Sequence, residues 1–185
     1  MRRRLDQPHK LFIAEEISRH AVVAADPKHS MHRIARFLID SLLWCWTADG
    51  IDDDGIAKRD LLKYDFDWQY HTEAARLLSE KQGSSKGLIH EHAVPRNEII
   101  RLLLQVRPTA HDTFDILERI CFAVVMTREQ DLSIHQNDKS LRGSMPFVLQ
   151  LDTPRLQLFA RHEHLKHDLR EPRRDGSGNP HNTSA

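Results

Sequence analysis

The stretch from Gly87 to Ile99, GLIHEHAVPRNEI, gathers residue types that do chemistry. His90 and His92 flank Glu91, and Pro95 follows three residues after the second histidine. A positioned imidazole draws a proton from water, and imidazole and carboxylate together hold a divalent cation. Spacing decides whether they cooperate. On a strand, residues two apart share a face. His90 and His92 would then project together and could share a metal, with Glu91 on the opposite side. The triplet HEH recurs at 162–164. On a helix, residues two apart diverge by about 200°, so His162 and His164 read as a solvated face.

Other candidates carry less. Asp52, Asp53 and Asp54 precede Gly55, but a calcium loop needs oxygen ligands at alternating positions and a distant glutamate, so this is a turn. Cys45 and Cys121 sit in the apolar runs LLWCW and RICFAVV and read as buried free thiols. No glycine-flanked nucleophile, P-loop or dinucleotide fingerprint occurs. The 13 histidines are otherwise scattered.

The elements that must position His90 to His92 can be read around them. KLFIAEEISRHAVVAA, 10–25, has helical spacing of its apolar residues and ends at DPKH. Ser30 can cap a second helix to Gly50, with Ile34, Leu38, Leu42 and Cys45 as its core stripe, widened by Phe37, Ser41 and Trp44. The aspartate turn leads into a short helix. Asp65 or Asp67 then caps WQYHTEAARLLSEKQG, and QGSSKG is a loop. Leu88 to His92 is predicted as a strand, and a helix follows Pro95. TFDILERI is a short helix, and CFAVVMT is the strongest strand in the chain. Thr127 and Gln130 form a near capping box for REQDLSIH. A short strand at FVLQL and a final helix RLQLFARHEHLKHDLR complete the reading.

The order around the site is strand, inserted helices, strand, helix. That layout resembles the ββα unit of the HNH, or His-Me finger, nucleases, and Glu91-His92-Ala93-Val94-Pro95 looks like their acid-histidine-x-x-proline element. EHAVP, VVMTREQDL and LRGSMP together also resemble a group of bacterial proteins with a Glu-His-Val-Val-Pro segment, a strand leading into Thr-x-Glu-Glu and a later Met-Pro. The likeness covers about residues 86–146. It implies a divalent-metal-dependent nuclease, with Mg or another divalent ion as cofactor and nucleic acid as partner. His92 would be the general base, with Glu91 at the catalytic centre. Glu91, Asp131, His135 and His90 would supply the metal shell. Arg96, Arg101 and Arg142 could contact phosphates. The sequence departs from the family in three places. It lacks the asparagine between the strands, it needs a two-helix insertion, and it has Asp131 where histidine or asparagine is usual. The alternative is a non-catalytic helical interaction protein with a protein partner, or a degenerate relative from a mobile element. The nuclease reading requires His92 within about 6 Å of an acid or amide from residues 129–135, leaving room for a metal.

Composition bounds both readings. The 185 residues fit one globular domain over 1–170, with a loose basic arm at 1–9 and a disordered tail at 171–185. With 27 basic and 27 acidic residues the formal net charge is zero, which argues against a general nucleic-acid-binding coat. No apolar run reaches the ~18 residues of a membrane span, and no signal-like segment follows the N-terminus, so a cytoplasmic protein is expected. The fold class is mainly α (α+β). A helical scaffold should carry a small antiparallel β element of two or three strands, ββα-like with a helical insertion.

Overall fold

The structure is a computed structural model that describes residues 2–137 and 144–172, and of 135–137 only the backbone. It is mainly helical with two small sheets, α+β as the sequence predicts. Helix α1 (Gln7–Ala24) starts at Asp6, whose carboxylate accepts from the His9 N–H. It buries Ile13, Ile17, Ala21 and Ala24. Helix α2 (His32–Ala48) packs along it.

The core face of α2 differs from the predicted stripe. The buried residues are Ala35, Ile39, Leu43 and Trp46, while Ile34 is 50% and Phe37 68% exposed. α2 has apolar residues on two faces. α1 and a later helix cover the one that carries small Ala35 and so permits close approach. Ser30 does not cap α2; the N-cap is Met31, with no side-chain bond. Nor does Gly50 end it, since the C-cap is Asp49.

Gly50 instead lies in a strand. β1 (Arg3–Arg4), β2 (Gly50–Ile51) and β3 (Ala57–Lys58) form an antiparallel sheet in that order. A Cβ on Gly50 would sit 2.7 Å from Leu62 Cγ and 2.9 Å from the Arg3 carbonyl oxygen, so β1 can approach only glycine. The loose basic arm is therefore corrected. Arg3 and Arg4 pair with Ile51 and Gly50, and Leu5 is buried in the core. The aspartate run is a turn. Asp52 accepts from the N–H groups of Asp54 and Ile56, and Gly55 takes φ 80°. No helix follows it before residue 70.

The second sheet has four strands in the order β5-β6-β4-β7: β4 (Tyr70–Thr72), β5 (Leu88–His92), β6 (Ala123–Thr127) and β7 (Leu169–Arg170). β5–β6 and β4–β7 are antiparallel, and β4–β6 is parallel. The β content thus exceeds the two or three strands expected. Tyr70–Thr72 was expected as helix; helix α3 (Glu73–Gln82) begins only after Thr72, whose hydroxyl accepts from the Ala75 N–H. Helices α4 (Arg96–Val106) and α5 (Ala110–Ile120) form the insertion between β5 and β6. Helix α6 (Arg128–Asn137) follows β6, and Thr127 and Gln130 close the predicted capping box reciprocally at 3.1 and 3.2 Å. The last helix is instead a 3-10 segment, Arg155–Leu165, followed by a turn and β7. No strand forms at FVLQL. The tail lies outside the described residues from 173 onward. No described helix is long and apolar enough to cross a membrane.

Candidate functional site

β5 alternates its side chains strictly. Leu88, His90 and His92 are buried on one face, and Ile89 and Glu91 are half-buried on the other. Val125 lies opposite His90, and Val124 lies opposite Glu91. The histidine face is covered by α3, through Ala75 and Leu88 around Val125, and by the C-terminal half of α2. The 3-10 segment covers the glutamate face. Its Arg161 reaches Glu91, and its His164 meets Ser133 of α6 at 2.9 Å. α6 therefore lies on the Glu91 side of the sheet, and His92 faces away from it.

His92 is 4% exposed. Its Nε2 is 3.3 Å from the Leu43 carbonyl oxygen and 3.2 Å from Thr47 Oγ1. A carbonyl only accepts, so Nε2 carries the hydrogen and donates. The Thr47 hydroxyl donates onward to the Trp44 carbonyl. Burial, with His90 and Arg96 nearby, pushes the His92 pKa down to about 3. The ring is neutral at pH 7 and weakly basic, whereas an efficient general base titrates near the working pH.

His90 sits beside it, with ring centroids 5.7 Å apart. The two histidines share a face, as strand geometry requires. The edge of His90 meets Trp44 at 5.1 Å. Both His90 nitrogens are buried with no hydrogen-bond partner among the described residues. Burial and then Lys63 push its pKa down to about 4.

Glu91 is held on the other face. Its Oε1 accepts from Arg161 Nη2 at 3.1 Å, and Arg161 Nη1 donates to the His92 carbonyl at 3.2 Å. The Arg161 side chain is 1% exposed. A buried guanidinium needs a carboxylate or several acceptors, and Glu91 supplies the carboxylate. Arg161 thereby ties the C-terminal end of β5 to the 3-10 segment. The second HEH is corrected at the same place: His162 is buried with both nitrogens unpartnered among the described residues, and burial pushes its pKa down to about 3.

Two of the arginines proposed for phosphate contact are already paired. Arg96 bonds Asp40 at 2.8 Å and lies 5.2 Å above the Trp44 ring. Arg101 bonds Glu98 at 2.9 Å on its own helix. Arg142 lies outside the described residues. A cavity of about 180 Å³ opens at this end of β5, lined by Asp40, Trp44, His90, Glu91, Arg96 and Arg161 among others.

The expected convergence of His92 with α6 is not found. Thr127, where α6 begins, pairs with Leu88, whereas His92 pairs with Ala123 four residues along. That is about 13 Å of strand, with the sheet itself between His92 and α6. Asp131 lies in the first turn of α6, half-buried. His135 is in α6, but its side chain lies outside the described residues. Among the described residues no three histidine, cysteine, aspartate or glutamate side chains form a metal-holding group. The residues that sequence reasoning missed are Thr47, Trp44 and Arg161. Only Arg161 carries a local signal, a charge in the otherwise apolar run LFAR.

No family model, no curated protein and no solved structure matches the chain.

Proposed function

We propose that the chain is a non-catalytic binding protein whose strand–strand–helix layout is like that of HNH nucleases, and in which Glu91 and His92 are anchors. One observation carries this reading. The His92 Nε2–H is spent on the α2 carbonyl and Thr47, on the side of the sheet away from α6. Glu91 is likewise spent on Arg161. Where it stands the His92 ring is a weak base, its pKa lowered by burial, and an acid paired to a buried arginine is a poor metal ligand. Ile34 and Phe37, one turn apart on the outer face of α2, are exposed apolar groups that support a protein partner.

The nuclease reading keeps one observation in its favour. The cavity of about 180 Å³ touches Glu91, His92 and Arg96 together. One experiment separates the two. The full chain is incubated with supercoiled plasmid and with single-stranded RNA, each with Mg²⁺ or Mn²⁺. The binding reading expects both substrates intact, with His92→Ala lowering thermal stability. Metal-dependent cleavage by the wild type that disappears in a folded His92→Ala would replace it with the nuclease reading.

A further inference from the structure

A second cavity, independent of the reading above, lies across Thr47 from His92. It is small, about 50 Å³, and its charged lining comes from separate elements. Arg4 enters from β1, Lys10 from α1 and Arg155 from the 3-10 segment. Asp49 and Glu118 are the carboxylates of the lining, and Trp46, Tyr70 and Phe122 its aromatic rings.

The cations outnumber their partners here. Lys10 is buried, pairs with Glu118 and lies 5.0 Å over the Trp46 ring. Asp49 accepts from the Asp60 N–H at 2.9 Å, so its charge is shared with the loop. Arg4 donates to the Trp68 carbonyl and Arg155 to the Tyr70 hydroxyl at 2.8 Å. A guanidinium has five N–H donors in a fixed fork; among the described residues each arginine uses one of them, while its flat face lies over an aromatic ring, Trp68 for Arg4 and Phe122 for Arg155. Three cations and two carboxylates line one small cavity. Burial lowers the Arg4 pKa; Glu118 acts against that shift, and the neighbouring Arg155 adds to it. Like charges gathered at one cavity favour a counter-charge there. A planar or tetrahedral oxyanion is the chemistry that two guanidinium forks and an ammonium recognise.

We propose that the cavity between Arg4, Lys10 and Arg155 is a binding site for one small oxyanion, a carboxylate or a phosphate group. The volume admits one such group. Arg155 is exposed at the mouth, so the rest of a larger ligand would extend into solvent there.

The test uses the full chain and three titrants at matched ionic strength: inorganic phosphate, acetate and chloride. Melting temperature and calorimetric stoichiometry are read for the wild type and for Arg155→Gln. Because Arg155 is exposed, Arg155→Gln should fold. Lys10→Met provides a second variant that keeps the buried stem. The proposal expects a saturable, one-to-one response to phosphate or to acetate, and the responding arm tells the two group types apart. A hundredfold excess over Kd should raise the melting temperature by roughly 5–10 °C. Both variants should lose the response. No saturable response to phosphate or acetate would overturn the site. So would a rise that chloride reproduces, or one that survives in both variants.

Discussion

Glu91→Gln keeps the shape of the side chain and removes the charge that Arg161 faces. Breaking a buried pair from one side costs about 3–5 kcal/mol, because the other charge stays behind unpaired. Two features reduce that here. The Glu91 side chain is 29% exposed, so solvent already screens part of its charge. Arg161 also keeps the His92 carbonyl. The expected loss is about 2 kcal/mol, or about 4–8 °C in Tm for a chain of this size. Urea unfolding at pH 7, followed by circular dichroism, measures it as a fall in the midpoint with an unchanged m-value. In the cycle with Arg161→Met, the double variant should lose about 1 kcal/mol less than the sum of the singles. A Glu91→Gln loss under about 0.5 kcal/mol, the range of plain surface substitutions, would refute the anchoring role. That is also what a glutamate kept free for a metal should give in a metal-free chain.

Stability should fall with acid well above the carboxylate range. His90, His92 and His162 have pKa values lowered to about 4, 3 and 3, against about 6.5 when unfolded. The unfolded chain binds the extra protons, so their contribution is full above pH 6.5 and is lost on descent towards 4 and 3. Urea midpoints at pH 7 and pH 5 should differ with a slope near 1 kcal/mol per pH unit for each histidine, and His162→Gln should flatten the slope. Phe37→Ala should change stability by less than about 0.5 kcal/mol, whereas Leu43→Ala should cost about 2–5 kcal/mol. The opposite order would restore the predicted stripe as the core face. Gly50→Ala should cost about 1–3 kcal/mol, and hydrogen exchange should show the pairing of Arg3 with Ile51 loosened.

Local signals were read correctly where the physics is local. Leu88–His92 and Ala123–Thr127 are strands because apolar and β-favouring residues meet there between clear breaks. The Thr127–Gln130 cap is visible because it closes over three residues. The buried face of α2 was not legible. Ile34, Leu38 and Leu42 make as good a stripe as Ala35, Ile39 and Leu43, and contact with α1 and α4 makes the choice. Tyr70–Thr72 was hidden because its strand partners, Val124 and Arg170, lie far along the chain. The same holds for the candidate site. That His90 and His92 share a face follows from strand period alone. What each residue does there depends on Thr47, Leu43 and Arg161, none of them within 40 residues.

The pairing of Glu91 with Arg161 also has a timetable. The arginine is made 70 residues after the glutamate, which at bacterial or eukaryotic synthesis rates is about 4–14 s. β6 is made about midway through that interval, and from then on β5 can pair with it, yet Glu91 has no counterpart until Arg161 follows. β5 is an outer strand of the sheet, and until Arg161 is made it carries an uncompensated acid. That acid is a useful guard, since charge on an open edge discourages pairing with another chain. The residue that fastens the finished protein would protect the unfinished one.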